Sequence, residues 1–246
     1  MKYFFFSLLF TSILYSQQTV IVTYDFHTSF SNNELKSEDA KKLFGNTVEL
    51  ANNQKFELSY SENKASFKYR DQLGLDSDPQ LLNISRMAFT SLDVYTNLEA
   101  KTQITVRNDG TLVESKITPL DWEITAESKN IGGYLCYKAL FNENFIDSFG
   151  KNRSTKIVAW FAPSLPFSLG PKYFYGLPGL ILEVTEYGNS HGNTFLANIV
   201  ELRDKKENIK FPNGKTVTKE EYDKKFQYSD GAVLLAKKRE ETKGKE

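Results

Sequence analysis

Along most of the chain apolar and polar residues alternate with period two, so the dominant prediction is β-strand. Thr19 to Phe30 is rich in β-branched and aromatic residues and predicts a first strand. Lys55 to Tyr60 and Lys64 to Arg70 predict a hairpin turning at Ser61-Glu62-Asn63, and Lys101 to Arg107 with Thr111 to Ile117 a second around Asn108-Asp109-Gly110. Trp122 to Thr125, Tyr134 to Asn142 and Thr155 to Phe161 continue the pattern. Leu180 to Glu186 then pairs with Thr194 to Leu202 across Gly188–Asn193, and Lys210 to Thr218 predicts a short polar hairpin at Pro212-Asn213-Gly214. Helix is predicted near the two ends only. One short helix covers Ser37 to Phe44, and another covers Lys219 to Tyr228, opened by Thr218-Lys219-Glu220-Glu221 in the form of a capping box. Asp71 to Ser91 has no readable period beyond a turn at Asp76–Pro79. About eleven short strands in this arrangement predict an all-β, mainly antiparallel fold, an open barrel or bowl-like curved sheet.

The segment Tyr175-Gly176-Leu177-Pro178-Gly179-Leu180-Ile181 breaks the alternation. Two glycines and a proline exclude helix interior, while the leucines are too apolar for a solvated loop. A shaped, buried turn feeding the strand at Leu180 is the reading that satisfies both constraints. The Pro and Gly density from Pro163 to Gly179 reads as a long connection crossing within one domain.

The ends of the chain look different from its body. Lys2, the apolar run Tyr3 to Leu14 and the polar Tyr15–Gln18 follow the order of a secretory signal peptide, giving residues 1–18 as a leader cut near Ser16 to Gln18. That run is shorter than the roughly 20 residues needed to cross a bilayer, and no cysteine lies nearby to carry a lipid. The expectation is an exported protein, periplasmic or secreted, with residues 19–236 as a single β domain and 237–246 as a charged, disordered tail.

Composition narrows the partners. With 31 Lys and Arg against 31 Asp and Glu, net charge gives no basis for holding nucleic acid or an anionic membrane. Cys136 is the single cysteine, so no internal disulfide forms and stability must come from core burial. Its alternating setting, Gly133 to Phe141, predicts a small buried hydrophobe.

Candidate chemistry is sparse. His27 and His191 have no partner at a metal-ligand spacing, so no metal and no cofactor is expected. Ser61-Glu62-Asn63-Lys64 has the Ser-x-x-Lys spacing of some acyl-transfer enzymes, but on a hairpin turn rather than at a helix start. Asp121, Glu123, Glu127, Glu183 and Glu186 are carboxylates from which sequence selects no acid–base pair; Glu183 stands out on an otherwise apolar strand. No catalytic residue is assigned. Trp160, Phe161, Tyr173, Phe174 and Tyr175 form the candidate binding group, since Trp and Tyr offer flat apolar faces with a polar edge suited to sugars or peptides. Against that, an aromatic-rich domain places most such rings in its core.

Four blocks, Trp122 to Ala139, Ala159 to Pro163, Leu165 to Pro171 and Tyr175 to Ile181, occur in an order that resembles the GLPGLI family of exported bacterial proteins, and the likeness covers Pro119 to about Glu201. The resemblance implies a predominantly β domain without an established activity. That family is similar to the N-terminal, non-catalytic domain of some bacterial peptide N-glycosidases, which implies an accessory or binding role. The leading expectation is a non-catalytic β domain that binds a glycan, a peptide or an envelope protein. Its rivals are a carboxylate-dependent hydrolase, a glycan-processing accessory and a carrier of lipid or another apolar ligand.

Overall fold

Strand β1 (Thr19–Thr28) is almost wholly buried, and the sheet is built outward from it on both sides. The computed structural model describes residues 19–29, 37–70, 79–89, 92–146, 152–188 and 192–227. In chain order the elements are β1, α1 (Glu38–Asn52), β2 (Lys55–Ser61), β3 (Lys64–Arg70), α2 (Pro79–Phe89), β4 (Val94–Asn97), β5 (Thr102–Val106), β6 (Leu112–Lys116) and β7 (Glu123–Ile131). They continue as β8 (Tyr134–Ile146), β9 (Asn152–Ala162), β10 (Leu180–Tyr187), β11 (Gly192–Arg203), β12 (Thr216–Thr218) and α3 (Lys219–Gln227). All twelve described strands join one curved, unclosed sheet in the order β12-β6-β5-β4-β3-β2-β1-β11-β10-β9-β8-β7. Every pairing is antiparallel except β12 with β6.

Register puts one continuous apolar face on the inside. Tyr24 opposes Phe56, which opposes Tyr69; Val22 opposes Leu58, which opposes Phe67. On the other flank Phe26 opposes Phe195, Val184 opposes Ala159, and Ala159 opposes Ala139. Because directly opposed side chains share a face, this row carries most of the core. Phe56 stacks on Phe67 at 5.4 Å, and Phe195 meets Phe26, Phe56 and Phe67 edge-on at 5.1, 5.1 and 5.5 Å. Offset and edge contacts of this kind each add about 1 kcal/mol beyond burial.

A bulge between Ile181 and Glu183 kinks β10. The fully buried Tyr24 hydroxyl donates to the Ile181 carbonyl at 2.6 Å, satisfying both groups in the dry interior. Desolvation drives the Tyr24 pKa far above that of a free phenol.

Several sequence expectations need correction. The helix expected at Ser37 to Phe44 runs to Asn52, because Thr47 and Ala51 continue its buried stripe. The unread stretch before Ser91 holds α2, whose Ser85 hydroxyl accepts from the Gln54 amide at 3.2 Å. The fold therefore has a helix in its interior order as well as near its ends. Pro212-Asn213-Gly214 makes no hairpin: Thr216–Thr218 pairs with β6 alone, and Phe211 packs on Tyr95 at 5.5 Å. The α3 capping box does form, with the Glu221 amide donating to Thr218 Oγ1 and the Thr218 amide donating to the Glu221 carboxylate. The proposed leader, the charged tail, His191 and the Asp76–Pro79 turn up to Asp78 lie outside the described residues.

Candidate functional site

Between β9 and β10 the chain leaves the sheet at Pro163 and returns at Leu180, packing across the inner face on the way. Leu165, Phe167 and Leu169 are buried and alternate with exposed Pro166 and Ser168, so the segment is extended with one side turned inward. Its backbone is satisfied from within: the Leu180 amide donates to the Leu165 carbonyl, the Ile181 amide to Leu169 and the Gly176 amide to Ser168, at 2.9 to 3.1 Å. Phe174 and Leu177 complete the plug, each 1% exposed, and the Trp122 indole donates to the Tyr175 carbonyl at 2.9 Å. At Gly179 the chain passes so close to β9 that an added Cβ would stand 2.3 Å from the Ala162 carbonyl oxygen. At Gly170 an added Cβ would meet the Ile181 side chain at 2.6 Å. The Gly176–Ile181 turn thus lies against the sheet end where β9 stops and β10 starts.

Helices α1 and α2 connect neighbouring antiparallel strands at the opposite end. There a cleft of about 460 Å³ remains between the plug and β4, β5 and β6. Its floor includes Val94, Thr105, Val113 and Ser115, which share the inner face by register. Its walls carry Arg86 from α2, Arg107 after β5, Lys172 and Tyr173 from the plug, and Lys219 at the start of α3.

Each of these side chains is held. The Arg86 guanidinium lies 4.6 Å from the Tyr69 ring centroid and 3.8 Å from Asp93. The Arg107 guanidinium covers the Tyr222 ring at 4.9 Å, and its Nε is buried without a hydrogen-bond partner among the described residues. Lys172, at a positive φ of 57°, reaches Glu186 at 2.5 Å; the Tyr173 hydroxyl donates to Glu143 at 2.9 Å; and Lys219 pairs with Asp223 at 2.7 Å. Burial first, and then the Glu186 and Glu143 charges, hold the Tyr173 phenol far above its ordinary pKa.

The five candidate binding aromatics are distributed among separate environments, Phe174 being buried in the plug. Tyr173 lines the cleft. Phe161 is 2% exposed and belongs to the core. Trp160 lies one residue out of phase with Phe161 and Ala159, hence on the outer face, under Lys129 at 4.4 Å. Tyr175 is half-buried, facing a narrow gap beside Phe67 and Thr96. Glu183 shares the outer face and pairs with Lys129 at 2.7 Å. Cys136 is fully buried, and desolvation pushes its thiol up to about 11 despite the nearby Lys129. His27 is exposed on β1, and Glu127 pairs with Lys138. Ser61 is buried, with its hydroxyl accepting from Thr19 and the Glu207 amide, while Lys64 is exposed. No grouping of metal-ligating side chains occurs among the described residues. Arg86, Arg107 and Lys172 sit in no motif, Lys219 stands in sequence only as part of a capping box and Trp122 only as the start of a block, and the fold alone brings the four cations to one cleft.

A family model described as a protein of unknown function (Porph_ging) matches residues 147–183, the span that holds β9, the plug and the Gly176–Ile181 turn. Three of the four blocks behind the GLPGLI resemblance fall in that span. A solved structure of PNGF-II is 15% identical at a TM-score of 0.50, covering 84% of this chain and 32% of its own. PNGF-II in a second crystal form is 16% identical at 0.46, covering 82% and 30%. LprF from Mycobacterium bovis is 11% identical at 0.24, covering 80% and 89%. The chain thus spans about a third of PNGF-II, and the likeness at 0.50 is one of fold alone. No curated protein matches the chain.

Proposed function

We propose that this chain is an exported, non-catalytic β domain that binds a small polar ligand in the cleft between β4–β6, α2 and the plug. The observation that carries this reading is the gap itself. The plug packs on the inner face beneath β1, β2 and β9–β11, yet leaves a space against one end of β4–β6, where mixed apolar, hydroxyl and cationic side chains line a volume within the range of small-molecule sites. A lipid tail suits the lining poorly, because long chains need a dry aliphatic cavity. The carboxylates Glu143 and Glu186 are engaged by Tyr173 and Lys172, which favours a positioning role over acid–base work. The fold shared with PNGF-II, together with the resemblance described above, makes sugars the first ligands to try. The Lys2, Tyr3–Leu14 and Tyr15–Gln18 pattern supports export as the route to that ligand.

The test is a thermal-shift series on the full chain with neutral and acidic mono- and disaccharides, repeated on Ser115→Trp, which places a ring in the cleft floor. At least one compound should raise the melting temperature of the parent protein and lose that effect in the variant. A series without any shift, or binding that survives Ser115→Trp, counts against this reading.

A further inference from the structure

Four cations from four separate parts of the chain, Arg86, Arg107, Lys172 and Lys219, meet in one cleft of a protein whose acidic and basic residues balance. No carboxylate is among the described lining residues. Three of the cations have a carboxylate behind them: Asp93 for Arg86, Glu186 for Lys172, Asp223 for Lys219. Among the described residues Arg107 has none. Its guanidinium rests on the Tyr222 ring, and its Nε is out of water with nothing to donate to. A guanidinium donor held in this way lacks the acceptor that such a group ordinarily finds when buried. Resting one face on an aromatic ring leaves the in-plane Nη edge, rather than the solvent-shielded Nε, to meet an oxyanion, the geometry that suits guanidinium to planar, bidentate recognition.

We infer that the cleft binds a small molecule carrying an oxyanion, with Arg107 as the group that receives it. The inference rests on the binding reading above and narrows its ligand. Lys172, Lys219 and Arg86 supply positive potential around the anion, while Val94, Val113 and the Tyr173 ring contact the body of the ligand. The Tyr173 hydroxyl already donates to Glu143, so this residue contributes its face rather than a hydrogen bond. The cleft volume suits a ligand of one sugar ring, and a carboxylate, sulfate or phosphate on that ring all present the same chemistry to Arg107.

Calorimetric titration of the full chain separates the sources. The compounds are sulfate and phosphate alone, glucuronate, a hexose phosphate and uncharged glucose. A carboxylate or phosphoryl sugar should bind more tightly than glucose, and more weakly as salt is raised. Arg107→Gln should lower that affinity by about tenfold or more, Arg107→Lys by less, because lysine keeps the charge but not the fork. Circular dichroism and the melting temperature of Arg107→Gln serve as the structural control, and both should match those of the parent protein. A lowered melting temperature in Arg107→Gln, with an equal loss of binding in Arg107→Lys, would assign the effect to displacement of α3 and overturn the inference. Glucose binding as tightly as glucuronate and the phosphate, with both abolished by Ser115→Trp, overturns the anion inference while leaving the cleft as a ligand site. Absence of binding by every compound overturns both.

Discussion

At Gly179 the side chain is excluded by backbone rather than by other side chains. An added Cβ would lie 2.3 Å from the Ala162 oxygen, 2.6 Å from its carbonyl carbon and 2.9 Å from Pro163 Cα. A flexible neighbour could rotate away, whereas these atoms move only if β9 and β10 separate. Gly179→Val should therefore cost about 3 kcal/mol or more, at the upper end of single substitutions. Urea melts of the two proteins would measure it, and an unchanged midpoint would refute the close approach. This constraint was legible in sequence, because glycine and proline amid leucines leave few conformations open. The cationic cleft was not. Arg86, Arg107, Lys172 and Lys219 each look like an ordinary solvated charge in their own segment, and only strand order and the path of the plug bring them to one place.

Helix α1 shows why element type was easier to read than element length. Gly45-Asn46 has the form of a helix stop, which places the expected end at Phe44. The helix continues because Phe44, Thr47, Val48 and Ala51, spaced three and four apart, turn inward against β1 and α2. Gly45 is then an exposed residue in mid-helix, and a methyl group added there would meet nothing within 4 Å. Gly45→Ala should stabilise the protein by about 0.5 to 1 kcal/mol, read as a raised denaturation midpoint. A lowered midpoint would mean the helix does not pass through this residue. Helix α2 was hidden for a different reason. Its inward stripe is Leu81, Ser85 and Phe89, with a serine where the period asks for an apolar residue, while Ile84 is 49% exposed. The hairpins were legible because their turns are local: Glu62 and Asn63 both adopt positive φ, and Gly110 supplies it in the next.

Across the whole molecule the sheet is closed over from two ends, by the Gly176–Ile181 turn at one and by α1 and α2 at the other, with the plug between them. Alternation announced the strands, but their order depends on pairings such as β1 with β11 that no local pattern encodes. Burial on this scale also fixes how the protein responds to alkali. Tyr24, Tyr173 and Cys136 all hold their protons more tightly when folded than the free side chains do, chiefly because the interior disfavours the charged forms. The unfolded chain therefore deprotonates first as pH rises. Stability should be flat with respect to these groups below the unfolded thiol value of 9.0, and fall from there as pH climbs towards the folded thiol at about 11. The phenols join from their unfolded value of 10.0. Urea midpoints measured from neutral to strongly alkaline pH should show this decline, and in Cys136→Ala its onset should move up to that of the phenols. A midpoint that rises with alkali, or an onset unmoved by Cys136→Ala, would mean that the thiol on β8 is not sealed from water.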